Sequence, residues 1–379
     1  MLDTPNPDAA RPVPAQIPRT DIPRLSAGKK ALFLAGLLLC ALSVAEIAAH
    51  CVYRVQNGRF IWRGVQGEGM GVFQPHPYLA GVPRPGARGF AFDGQVEINA
   101  QGYRGPPLRD GAAKILCLGG STTFCVGVST GETWPEQLQK ELSGLPSGPV
   151  DVVNSGVPGY SSAENVIQLA LRDYALNPGI VILFQGLNDL RSSHAPDLTP
   201  DYAWSHGDHQ AKTLDVAWRD GASIIALRYY ALQALRKISP PQPQDPVVHS
   251  EPDLQLAEIF RSNLRSIAAL TRKSGARLLL VPQVLWEPLI ALKDRDGWIP
   301  FVDPKSVMVQ MSALNDVMRE VAREENASFA QSVLDYPWTV EDFAGDYCHF
   351  SARGCIHMAQ LLAAHLQAEG LTQALRPRG

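Results

Sequence analysis

This 379-residue sequence predicts an α/β fold, a parallel sheet covered by helices on both faces. Three observations carry the prediction. From Lys114 onward, short apolar runs alternate with segments of helical period. Runs such as Ile115–Leu118 and Ile180–Phe184 show no polar alternation, as strands buried on both sides require. The first three runs end in the loops Gly119–Cys125, Ser155–Tyr160 and Gln185–Arg191, and ligands bind at that end of such a sheet.

Residues 1–30 hold six prolines and five basic residues against three acidic ones, and read as a disordered cytoplasmic tail. An uncharged run from Ala31 to Ala45 follows, directly after Arg24, Lys29 and Lys30. A helix over residues 31–53 is long enough to cross a bilayer, which takes roughly 20 residues. Its basic flank predicts a cytoplasmic amino side and an exported remainder. Two other readings compete: a signal peptide cleaved after Ser43-Val44-Ala45, and a buried core helix. The long proline-rich lead favours a retained anchor. Cys40 follows Leu38-Leu39, without the small residue a lipoprotein signal needs.

Residues 55–112 are rich in Gly, Pro and aromatics and read as a β-rich lead-in packed on the main domain, residues 113–372. In that domain the expected strands are Ile115–Leu118, Asp151–Asn154, Ile180–Phe184, Arg277–Val284 and Ala327–Gln331. The expected helices are Glu132–Leu142, capped by Thr130 or Thr133, and Ser161–Tyr174, opened by Ser161 or Ser162. Four more follow: Ser223–Lys237, Leu254–Ser274, Ser306–Glu325 and Ala352–Gly370. Four prolines make Ser239–Val248 a loop. The aromatic insertion 191–221, with His194, Tyr202, Trp204, His206, His209 and Trp218, reads either as a lid or substrate wall, or as a surface loop.

Composition narrows the function. The chain is 45% hydrophobic and 19% charged, a globular balance, and its net charge of −3 speaks against a nucleic-acid binder. Without residues 1–30 the remainder holds 29 basic and 34 acidic residues, a net of −5. Six cysteines are too few for a disulfide scaffold. Cys117 reads as a small buried hydrophobe; Cys125, Cys348 and Cys355 read as free thiols, with Cys125–Cys348 or Cys348–Cys355 the alternative pairings. Cys348, His349, Cys355 and His357 match no familiar zinc spacing, so neither metal nor cofactor is expected.

Four segments hold residues suited to chemistry. In Gly119-Gly120-Ser121-Thr122-Thr123 a serine follows two glycines at a strand end, which suits a nucleophile and equally a helix cap. The loop holding Gly156 permits close backbone approach, though two glycines and a proline also make an ordinary turn. In Gly186-Leu187-Asn188-Asp189 the Asn188 amide is an uncharged donor of the kind an oxyanion hole needs, or part of an Asx turn. Asp346, three residues before His349, is placed to hold the imidazole in one tautomer while its other nitrogen takes a proton from serine.

Together, Gly120-Ser121, Gly156, Gly186-Leu187-Asn188-Asp189 and Asp346-x-x-His349 resemble, in order and spacing, the four signature blocks of the SGNH/GDSL hydrolase family over roughly residues 113–370. Pro75-His76-Pro77, Pro85-Gly86, Asn99-x-x-Gly102-Tyr103-Arg104-Gly105 and Glu132-Thr133-Trp134-Pro135 resemble its membrane-anchored bacterial members. The family's usual Gly-Asp-Ser-Leu is Gly-Gly-Ser-Thr here. The resemblance implies a flavodoxin-like three-layer α/β/α fold with about five parallel strands. It implies a Ser121, His349, Asp346 triad and an oxyanion hole from the Ser121 and Gly156 N–H groups with the Asn188 side chain. The expected activity is hydrolysis of O-acyl, short-chain esters, with envelope carbohydrate as the substrate class, by an exported domain held to the membrane. An O-acyltransferase of the same fold and a catalytically silent binding protein are the rivals; a broken triad would mark the latter.

Overall fold

The computed structural model describes residues 26–57, 72–74, 76–91, 94–144, 148–202, 247–293 and 298–375. Residues 1–25 of the expected 1–30 tail, Trp204, His206, His209, Trp218 and the helix at 223–237 lie outside these residues, as do Pro75 and most of the 239–248 loop; Ala27–Lys30, expected in the tail, already belong to the first helix.

The apolar run forms helix α1, Ala27–Asn57, and Ala27–Val52 within it is long and apolar enough to cross a membrane. Its large apolar side chains, Leu34 and Leu38 among them, are exposed, which rules out the core-helix reading for this segment. Two short antiparallel hairpins follow, β1 (Phe73–Gln74) with β2 (Val82–Pro83) and β3 (Arg88–Ala91) with β4 (Gly94–Glu97). Their apolar residues Val72, Leu79, Val82 and Val96 pack on Phe124, Val126, Val157 and Tyr160, so the lead-in rests on the first two loops of the main sheet.

That sheet has five parallel strands: β5 (Ala113–Gly119), β6 (Val150–Asn154), β7 (Ile180–Phe184), β8 (Arg277–Val281) and β9 (Ser328–Phe329). The spatial order is β6-β5-β7-β8-β9, a doubly wound order whose direction reverses between β5 and β7. Alternate residues serve opposite layers, as the two-residue strand period requires. Leu116, Leu118, Val181 and Leu183 meet α4 (Ser162–Leu171), α6 (Leu254–Lys273) and α8 (Val307–Glu324). Ile115, Cys117, Ile182 and Phe184 meet α3 (Trp134–Glu141) and α10 (Ala352–Ala368). The fold is therefore the expected three-layer α/β/α.

Several boundaries differ for local reasons. Thr133, not Thr130, caps α3 by accepting from Glu136 N; Thr130 Oγ1 instead accepts from Glu97 N at 2.9 Å. Ser161 caps α4 in a capping box with Glu164. That helix stops at Leu171, and a 3₁₀ turn over Asp173–Leu176 carries the buried Asp173 inward. β8 ends at Val281 because Pro282 has no N–H to extend the ladder. β9 covers two residues, since Gln331 already opens a short helix, α9 (Gln331–Asp335). Helix α7, Glu287–Lys293, was not expected, nor were the one-turn helices α2 (Ser121–Phe124) and α5 (Leu187–Leu190).

Candidate active site

Ser121, Asn188 and the loop holding Gly156 lie beyond the carboxyl ends of β5, β7 and β6. Ser121 is the first residue of α2. Gly119, at φ +154°, makes the bend: a Cβ there would stand 2.2 Å from Thr123 Oγ1 and 2.3 Å from the Phe184 carbonyl. The Ser121 N–H, at a helix start, carries no hydrogen bond among the described residues.

His349 arrives from the other end of the chain, on a loop pinched shut by the Phe343–Phe350 bridge and by Ala344 N donating to His349 O at 2.7 Å. Ser351 caps α10 directly after it. His349 Nε2 lies 2.8 Å from Ser121 Oγ, and Nδ1 lies 2.5 Å from Asp346 Oδ2. The other carboxylate oxygen accepts from the N–H groups of Cys348 (2.9 Å) and His349 (2.7 Å), so Asp346 is oriented by its own loop.

Electrostatics follow from this chain. Burial alone would raise the Asp346 carboxyl, but the hydrogen bond and charge of His349 and the two backbone donors outweigh it and hold the group below its usual range. Burial opposes a charge on His349, yet Cys348 and Asp346 beside it raise its pKa well above the ordinary imidazole value. Burial pushes the Cys348 thiol up, so at neutral pH Asp346 is the anion that acts on His349.

Asn188 on α5 is nearly buried and gives one amide N–H to the Tyr160 carbonyl at 2.8 Å. Asp189 fixes that loop: it accepts from Ser162 N (3.0 Å), Ser162 Oγ (2.5 Å) and Gln185 Nε2 (2.7 Å). Ser121, Thr122, Gln185, Leu187, Asn188 and Gln283 line a small depression.

Gly156 is used differently from expectation. Its N–H donates to Asn154 Oδ1 at 3.1 Å, and a Cβ there would stand 2.3 Å from Phe124 N. The close approach it permits is to the nucleophile turn. Directly after it, Val157-Pro158-Gly159-Tyr160 closes a turn with Tyr160 N donating to Val157 O at 3.1 Å. Pro at the second position and Gly159 at φ +83° in the third suit a type II turn. The Gly159 N–H carries no hydrogen bond among the described residues.

Of the insertion, Tyr202 is fully buried against Asp189, so it is a core residue and not part of a substrate wall. His194 stacks on His249 with ring centroids 4.0 Å apart. All six cysteines are free, and Cys125 and Cys355 lie close together in one buried cluster, a pair not among those read from sequence. Asp346, Cys348 and His349 bring three atoms able to ligate a metal within 4.8 Å of one another, but two of these already bond each other.

Sequence order gave no sign of a buried network behind the second loop. Asp173 accepts from Tyr103 Oη (2.9 Å) and Ser155 Oγ (2.5 Å). Its members lie 70 residues apart in the chain, and only the Asn99–Gly105 motif hinted that Tyr103 mattered.

The sequence model of the GDSL-like lipase/acylhydrolase family matches residues 117–355. Similar solved structures include the lipase/acylhydrolase from Enterococcus faecalis, 16% identical with a TM-score of 0.42 over 70% of this chain and 99% of that one. Another is an acetylxylan esterase from Geobacillus stearothermophilus, a catalytic mutant, 16% identical with a TM-score of 0.38 over 71% and 99%. No curated protein matches the chain. With a match that spans well over half its length, this chain belongs to the GDSL-like lipase/acylhydrolase family and is an ester-cleaving hydrolase.

Proposed function

We propose that the protein is a serine esterase that removes short O-acyl groups through an acyl-enzyme on Ser121. The observation that carries this reading is the continuous chain from Ser121 Oγ to His349 Nε2 (2.8 Å) and from His349 Nδ1 to Asp346 Oδ2 (2.5 Å). Ser121 Oγ attacks the ester carbonyl as its proton passes to His349 Nε2. His349 then gives that proton to the leaving alkoxide, and the serine ester remains. A water molecule, deprotonated by the same nitrogen, attacks the serine ester, and His349 returns that proton to Ser121 Oγ as the carboxylic acid leaves. Asp346 stabilises the imidazolium in both halves.

Three donors face the developing oxyanion in this reading: the Ser121 N–H, the second amide N–H of Asn188 and a backbone N–H of the 155–160 loop. Gly156 was the expected source of the last. Its bond to Asn154 favours Gly159, whose N–H is free and whose neighbour Tyr160 binds Asn188. The depression beside Ser121 has Gln185 and Gln283 in its lining, both nearly buried, which suits an acetyl-sized group better than a long apolar chain. The exposed apolar α1 suits a membrane anchor and a signal sequence alike; with its basic flank and long proline-rich lead, this reading takes it as a retained anchor, the domain as exported and an envelope carbohydrate ester as substrate.

The test is hydrolysis of p-nitrophenyl acetate, butyrate and octanoate by the full chain in detergent micelles, beside Ser121→Ala. Acetate is expected to be cleaved fastest, and Ser121→Ala to be inactive and unlabelled by a fluorophosphonate. Activity retained in Ser121→Ala would end the reading; a preference for octanoate would end its short-chain part.

A further inference from the structure

We propose that Arg104 is a positioning residue for the nucleophile, its buried guanidinium holding the turn that carries Ser121. The inference rests on Ser121 being the nucleophile and extends that reading to the chain beneath it.

Helix α2 is one turn long, too short to stand by its own hydrogen bonds. Its carbonyls must find donors elsewhere, and each one does. Ser121 O accepts from Val126 N at 3.1 Å, Thr122 O from the Trp134 indole at 3.1 Å, and Thr123 O from the Cys125 thiol at 3.3 Å. The last carbonyls belong to Arg104. Its Nη1 donates to Phe124 O (2.6 Å) and Cys125 O (2.8 Å), and its Nη2 to Val128 O (2.5 Å). Cys125 needs such support, because its φ of 63° is a left-handed conformation that a residue with a side chain seldom adopts.

Arg104 is 3% exposed, and its guanidinium lies 4.7 Å from the centre of the Phe124 ring. Among the described residues no carboxylate is bonded to it; the charges of Glu136 and Glu132 act on it without contact, and its donors go to the backbone carbonyls that follow the turn. Burying a cation with no carboxylate in contact is costly, and an apolar side chain would fill the same space without that penalty. What an apolar side chain lacks is donors for three carbonyls. The backbone of Arg104 adds a second tie, its N–H donating to Asn154 O at 3.2 Å. Asn154 in turn holds the Gly156 N–H. One residue thus fixes the nucleophile turn to the start of the second loop.

The experiment compares Arg104→Ala, Arg104→Lys and Leu264→Ala in the full chain in micelles. Leu264 is a fully buried residue of α6 on the other face of the sheet and serves as a control for lost stability. Arg104→Ala is expected to lose at least tenfold in kcat with KM within twofold. Arg104→Lys should fall between it and the wild type, and millimolar guanidinium should restore part of the activity of Arg104→Ala alone. Deuterium exchange should rise in residues 121–128 of either Arg104 variant and not in Leu264→Ala. Equal kcat and equal exchange in all variants of matched melting temperature would overturn the inference. Where Arg104→Ala does not fold, Arg104→Lys decides: wild-type kcat and exchange overturn it, and a lowered kcat with faster exchange at 121–128 supports it. Ser121→Ala run alongside separates the two ideas, because activity there removes the nucleophile assignment whatever the Arg104 variants do.

Discussion

A Cβ placed on Gly120 would stand 2.3 Å from Asn188 Nδ2, so the residue before Ser121 has no room for a side chain while Asn188 keeps its place. The amide cannot simply back away, because the same Nδ2 is bonded to Tyr160 O, itself 3.2 Å from that Cβ position. Where the related motif carries aspartate, this chain carries glycine, and the amide of Asn188 uses the space.

Gly120→Ala follows directly. The added Cβ must displace the Asn188 amide and break its bond to Tyr160 O, so activity and stability should fall together. We expect kcat to fall about 10²–10³-fold, the usual loss for one oxyanion donor, with a lowered melting temperature. Unchanged kcat would mean that Asn188 does not act on the oxyanion.

The acid limb of kcat/KM should report His349. Only its neutral form accepts the Ser121 proton, so activity is lost as pH falls through its raised pKa. Asp346→Asn removes the neighbouring anion, and the limb should move to lower pH while kcat drops by about 10³–10⁴. A pH–rate profile checks both; a limb that stays in place would show that Asp346 does not set the imidazole.

Asp173 predicts a pH dependence of stability. Burial raises its carboxyl to about 6, against hydrogen bonds from Ser155 and Tyr103 and the charge of Arg172. A folded-state pKa above the unfolded one stabilises the protein below the unfolded value, about 3.9, and that contribution is lost as pH rises through about 6. The difference is about 3 kcal/mol. Asp173→Asn should therefore flatten melting temperature against pH between about 4 and 7. A slope identical to wild type would refute the assignment.

The thiol pair gives a chemical test. Cys125 and Cys355 are neighbours in one buried cluster, while Cys348 sits 3.5 Å from His349 Nδ1. After mild oxidation with diamide, peptide mapping without reductant should find Cys125 joined to Cys355. A bond from Cys348 to either one would contradict the placement.

Much of the fold was legible because strand burial and helix capping are local. Ile180–Phe184 matched its strand end to end, and Ser161 caps its helix with its own side chain. The limits appeared where a local pattern met a tertiary demand. The helical period through Tyr174 gave way to a 3₁₀ turn because Asp173 is drawn into a buried network. Gly156 was legible as a site of close approach, but its partner was not: a turn's sequence does not say which chain will cross it.

By itself the sequence determined the apolar N-terminal helix, the alternation that makes a parallel sheet, and the residue types Ser121, Asn188, Asp346 and His349. Periodicity and short motifs hold that information within a dozen residues. Tertiary structure alone decided that Ser121 and His349, 228 positions apart, meet at 2.8 Å, that Gly156 turns inward, and that Arg104 serves the nucleophile turn. Those outcomes depend on which backbone carbonyls and N–H groups face one another once the layers pack, and no stretch of sequence encodes that by itself.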